Sequence, residues 1–176
     1  MAGISNRVRR CVAALAAAAP LLMVAAAESN TVEARWLIAH NTVRSEAGLP
    51  PLRWSPALTA SAENWAAYLA RTGRFHHYHP SRDDPDPQGE NLWAGTRGYY
   101  GAEDMVRAWA AEKSHFVNAR VPFNSTTGRF ADVGHYVQIV WRKTDEVGCA
   151  MARGAEEDVL VCRYGEGGNV IGERPY

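Results

Sequence analysis

The sequence predicts an α+β domain, with helices packed over a small, mostly antiparallel sheet. Two observations carry this. Helix-spaced residues with helix stop signals fill the first half of the chain, while β-rich segments around a short polar loop close it. A third observation bounds it: no linker, low-complexity run or internal repeat divides residues 28–176, which have the length of one ordinary domain.

The first residues are read as a leader rather than as part of the fold. Arg7, Arg9 and Arg10 form a basic start, and no acidic residue precedes Glu28. An Ala-rich apolar stretch runs from Cys11 to Ala27, is broken by Pro20 and ends Ala25-Ala26-Ala27, the small-x-small pattern that signal peptidase cuts. Removal of residues 1–27 takes away three of 19 basic residues and none of 19 acidic ones. The mature chain is then mildly acidic, which argues against nucleic acid and against a polybasic membrane surface. A secreted protein, or a periplasmic one in a Gram-negative bacterium, is expected, as a monomer with no membrane span after processing. Cys11 leaves with the leader, so Cys149 and Cys162 remain as an even pair suited to one disulfide.

Glu33 to Ala47 reads as the first helix, with Leu37, Ile38 and Asn41 on one side, Gly48 past its end and Pro50-Pro51 blocking continuation. The second helix has Ser55 as N-cap and Pro56 in its first turn. Leu58, Ala62, Trp65 and Leu69 follow at helical spacing, and Gly73 closes it. Phe75 to Pro87 is a loop rich in His, Asp and Pro, leading into a short strand, Gly89-Glu90-Asn91-Leu92-Trp93. A third helix starts near Ala102. Its stripe of Met105, Trp109, Glu112 and Phe116 puts a carboxylate beside a Trp, where an unpaired charge costs several kcal/mol and so demands a partner. Asn118 to Asp132 is another loop, holding the sequon Asn124-Ser125-Thr126, a glycan acceptor in a eukaryotic source. Val147–Arg153 and Asp158–Tyr164 form a hairpin. Pairing Arg153 with Asp158 sets Cys149 opposite Cys162, within disulfide reach.

Four motifs then occur in order. His40-Asn41 with Arg44 lies in the first helix, and Gly89-Glu90-Asn91-Leu92 follows. Next come Gly134-His135-Tyr136-Val137-Gln138-Ile139-Val140-Trp141 and the stretch from Tyr164 to Tyr176, with Asn169, Gly172, Pro175 and Tyr176 at its fixed positions. These resemble the signature motifs of the CAP family, named for cysteine-rich secretory proteins, antigen 5 and plant pathogenesis-related proteins. The resemblance spans Arg35 to Tyr176. It implies a three-layer α-β-α sandwich in which His135 begins a short helix. It implies further that two histidines and two glutamates surround a central cleft: His77, Glu90, Glu112 and His135, with His76 and His79 flanking His77 as alternatives. No cysteine-rich extension follows Tyr176, and the hairpin pair is the one family disulfide left.

Two imidazoles and two carboxylates have the composition of a zinc or other divalent-cation site with open positions, and equally of a hydrogen-bonded network. Resemblance to relatives that bind divalent ions favours the metal. His40 and Arg44 read as interior structural groups. The isolated Glu112/His115 pair lacks the second copy a di-iron bundle needs. The six Trp residues (36, 54, 65, 93, 109 and 141) fit core positions, and Tyr99-Tyr100 with Trp93 reads as a packed loop. By resemblance, the function is a binding or effector module whose surface groove takes a sterol or fatty acid, defence-related in a plant or fungus. The alternative is a metal-assisted hydrolase with Glu90 or Glu112 as base; neither H-E-x-x-H nor G-x-S-x-G is present to support it.

Overall fold

The computed structural model describes residues 31–81, 83 and 87–176; the expected leader lies outside the described residues. The elements, in order, are α1 (Val32–Glu46), β1 (Arg53–Trp54), α2 (Pro56–Thr72), β2 (Gly89–Thr96) and α3 (Ala102–Ala110). After two 3₁₀ turns, at Ala111–His115 and Phe130–Asp132, come α4 (Gly134–Ile139), β3 (Glu146–Arg153) and β4 (Glu157–Gly165). The sheet order is β1-β3-β4-β2. All pairings are antiparallel except β1 with β3, where Arg53 and Trp54 lie parallel to Glu146 and Val147.

Side chains of β3 and β4 alternate between two cores. Ala150, Val159 and Val161 face Ala62, Ala66 and Leu69 of α2. Cys149, Leu160, Cys162 and Tyr164 face Trp36 and Val43 of α1, Met105 and Trp109 of α3, and Tyr136 and Ile139 of α4. The molecule is therefore an α-β-α sandwich, α2 on one face and the other helices opposite. Burial on both faces is why Val159–Cys162 reads as an unbroken apolar run. Gly148 permits a close helix–sheet approach: a Cβ there would stand 2.3 Å from the backbone nitrogen of Thr59 in α2.

The hairpin register is the expected one, with Arg153 opposite Asp158 and Cys149 opposite Cys162, and the two cysteines are disulfide-bonded. Ser55 stands at the N-cap position of α2, though its side chain makes no capping hydrogen bond, with Pro56 in the first turn and Gly73 left-handed at the end.

Three expectations need correction, and the sequon, left open as a glycan acceptor, gains a structural setting. The buried stripe of α1 is Trp36, His40, Val43 and Arg44, not Leu37, Ile38 and Asn41; Ile38 is 54 % exposed. Polar residues turn inward because backbone acceptors await them. The third helix stops at Ala110 and tightens into a 3₁₀ turn, so Glu112 lies beyond the α-helical stripe. The strand starting at Gly89 runs to Thr96, and the two-residue β1, hidden between Pro51 and Pro56, went unread. Finally, Asn124 of the sequon is fully buried, beside the bridge that joins Phe116 to Ser125.

Candidate functional site

The four expected residues form two histidine–carboxylate pairs. Glu90 enters on β2. Its Oε1 accepts from His77 Nδ1 at 2.6 Å and from the Tyr78 backbone N–H at 3.0 Å. Across the sheet, Arg163 of β4 is its register partner and places Nη2 2.9 Å from Oε2. His77, rather than either neighbour, therefore faces the carboxylate. His76 instead packs edge-on against Trp65 and lies parallel to His79.

The second pair sits at the start of α4. Glu112 Oε1 accepts from His135 Nδ1 at 2.6 Å, while Oε2 takes the backbone N–H groups of His135 and Tyr136 at 2.9 and 3.0 Å. First-turn N–H groups lack partners within their helix, so the carboxylate caps α4 and orients its imidazole together. The His135 ring lies nearly parallel to Trp109 at 6.0 Å. The partner demanded by the Glu112–Trp109 neighbourhood is thus His135.

A buried polar chain supports this arrangement. His40 Nδ1 donates to the Trp36 carbonyl at 2.8 Å, and its Nε2 accepts from the Tyr164 hydroxyl at 2.9 Å. Asn91 Nδ2 donates to that same hydroxyl and to the His135 carbonyl, each at 3.1 Å. Burial holds the His40 pKa down at about 4 and pushes the Tyr164 phenol well up, so both stay neutral. Arg44 donates to the carbonyls of Pro50, Ile139, Trp141 and Thr144 at 2.7–3.0 Å, tying the exit of α4 to α1. Gln138 accepts from the Gly168 N–H and donates to Thr144 Oγ1. Asn169, in the left-handed region, donates to the Gly134 carbonyl. At the chain end, Gly172 N–H donates to the Val121 carbonyl, the Pro175 carbonyl accepts from Arg142, and the Tyr176 ring lies against Phe116, itself edge-on to Tyr136. The signature residues thus lock the scaffold, as His40 and Arg44 were expected to.

A cleft of about 720 Å³ opens beside the first pair, lined among others by Trp65, His77, Glu90, Gln138, Arg163 and Asn169. His135 and Glu112 are not in its lining; they adjoin it through the Asn169–Gly134 bond. Among the described residues, one group of three His, Cys, Asp or Glu side chains brings its ligand atoms within 4.8 Å: His40, Cys149 and Cys162. It is no metal site, because both sulfurs are in the disulfide and both His40 nitrogens are engaged. Sequence reading missed Arg163. Its signal was present in part: a charged residue within the apolar run of this strand needs an opposite charge, but that the charge is Glu90 follows only from the β2–β4 register.

The α-β-α sandwich with these motifs is that of one family. Residues 37–164 match the model of the Cysteine-rich secretory protein family, CAP, and the chain belongs to it. It is similar to Pathogenesis-related protein 1C of Nicotiana tabacum, 35% identical over 142 residues covering 80% of this chain and 79% of the relative. Pathogenesis-related protein PRMS of Zea mays is likewise 35% identical over 145 residues, covering 80% of each. Among solved structures, the crystal structure of NaASP2 with Zn2+ superposes with a TM-score of 0.67 at 24% identity, covering 80% of this chain and 82% of that one. Among the described residues no helix is long and apolar enough to cross a membrane.

Proposed function

We propose that this chain is an exported, non-catalytic binding module, with residues 1–27 removed as a leader and 28–176 as its single domain. In this reading His77 and His135 hold a divalent cation, zinc by preference, while Glu90 and Glu112 orient them. The observation that carries it is the geometry of the pairs. A carboxylate 2.6 Å from Nδ1 fixes each ring and leaves Nε2 as the ligand atom, the arrangement found around metal-bound histidines. The donor types suit a divalent cation with two imidazole ligands and open positions, and because no three of the four residues bring ligand atoms within 4.8 Å, the carboxylates act here as supports rather than as ligands. Similarity to NaASP2, crystallised with Zn2+, and to plant pathogenesis-related proteins supports metal binding and a defence role.

Binding is favoured over hydrolysis because the carboxylates are already in use. Each oxygen of Glu112 accepts a hydrogen bond, and Glu90 is held by His77, the Tyr78 N–H and the Arg163 charge, so both carboxylates are engaged in orienting their histidines. A second ligand has a separate place. A groove of about 320 Å³ between α1 and α3, floored by Ala39, Val43 and Val106 and rimmed by Glu46 and Lys113, suits the chain of a fatty acid or sterol.

Zinc titrated by calorimetry into wild type and His135→Ala, at pH 7.5 and 5.5, tests the metal site. Tight binding by wild type at pH 7.5 is expected, lost in the variant and weakened at pH 5.5, because a protonated imidazole has no lone pair to give. Equal affinity in both proteins would reduce the four residues to a structural network.

A further inference from the structure

A fixed cation already sits at the Glu90 half of this site. Arg163 is 4 % exposed, and its guanidinium lies 2.9 Å from Glu90 Oε2 and 4.8 Å over the Tyr78 ring. Its Nε has no hydrogen-bond partner, and Glu90 Oε2 meets it by charge and proximity rather than through an aligned hydrogen bond. An arginine keeps its charge even where burial disfavours it. The other half is different: Glu112 receives His135 and two backbone N–H groups, with no Lys or Arg in ion-pair contact among the described residues.

With both imidazoles neutral, the two carboxylates would present two negative charges to a divalent ion. Arg163 cancels one of them at contact distance, in a region with little water to screen the effect. We infer, building on the metal site proposed above, that Arg163 is a tethered counter-ion that sets the cation affinity of this cleft, filling at Glu90 the electrostatic role a bound metal would otherwise take. Its stacking on Tyr78 gives it a second task, holding the segment that carries His77 against β2. The two tasks make opposite forecasts. Loss of the charge tightens metal binding; loss of the clamp loosens it.

Zinc affinity at pH 7.5 is measured by calorimetry in wild type, Arg163→Gln and Arg163→Lys, each with and without His135→Ala. Arg163→Gln is expected to bind about 10- to 100-fold tighter than wild type, the scale on which residues that touch metal ligands shift affinity. Arg163→Lys should stay near wild type, and the gain should vanish with His135→Ala. Because Arg163→Gln strips buried Glu90 of its cation, the comparison is repeated on a neutral background. Glu90→Gln/Arg163→Gln should bind tighter than Glu90→Gln alone, since nothing is then left unpaired. Unchanged or weaker zinc binding on removing Arg163 overturns the inference. If wild type still shows histidine-dependent binding, the metal site survives that failure; if no variant does, both fall.

Discussion

At the scale of single residues, the inward-facing polar groups decide most. His40 is fully buried and hydrogen-bonded through both nitrogens, and burial lowers its pKa from 6.5 to about 4. Between those values the unfolded chain binds a proton that the folded chain refuses, so stability falls as pH drops from 6.5 towards 4. The shift corresponds to a loss on the order of 3 kcal/mol across that window, and above it His40 adds no pH dependence. Urea denaturation of wild type and His40→Gln at pH 7.5 and 4.5 measures this. The variant should be less stable at pH 7.5 yet lose less on acidification; parallel losses would show that other groups carry the acid sensitivity.

Elements were unevenly legible in the sequence. The second helix and the terminal hairpin were readable because their signals are local: Ser55-Pro56 and Gly73 bracket one, and a single register places both cysteines in the other. The inner face of α1 was not. Apolar periodicity pointed to Leu37 and Ile38, whereas the buried His40 bonds to the Tyr164 hydroxyl and Arg44 to the carbonyls of Ile139, Trp141 and Thr144, partners far along the chain that no local pattern encodes. The end of α3 failed for a similar reason, because Glu112 leaves the helix to serve the start of α4. Of the site, resemblance supplied the four residues and helical spacing singled out Glu112, but the division into two pairs and the part of Arg163 depend on β2–β4 pairing. Helix and sheet backbones meet closely at Gly148. Gly148→Ala would drive a methyl group into the α2 backbone and is expected to destabilise by about 1–3 kcal/mol, read from a denaturation midpoint. A neutral outcome would mean that α2 shifts freely on the sheet.

At the scale of the whole molecule, among the described residues one covalent staple ties β3 to β4 at the centre of the hairpin, on the face that packs against α1, α3 and α4. The Cys149–Cys162 bond closes a sequence separation of 13 and contributes about 3 kcal/mol in the chain-entropy model. Reduction, or a Cys149→Ala/Cys162→Ala double variant, should lower the melting temperature while leaving the far-UV spectrum native. Loss of all helical signal on reduction would make the bond a condition of folding rather than an addition to it.

Asn124 carries a consequence for the order of events during synthesis. Its side chain is wholly enclosed, with neither amide atom hydrogen-bonded and its carbonyl tied to Val117. An oligosaccharide attached there has no room in the native state. In a compartment that glycosylates nascent chains, transferase and packing compete for the same asparagine. Chains that lose the race carry a bulky, hydrated adduct where Asn124 should be enclosed, while those that win stay unmodified. A glycan at this position would be a record of delayed folding.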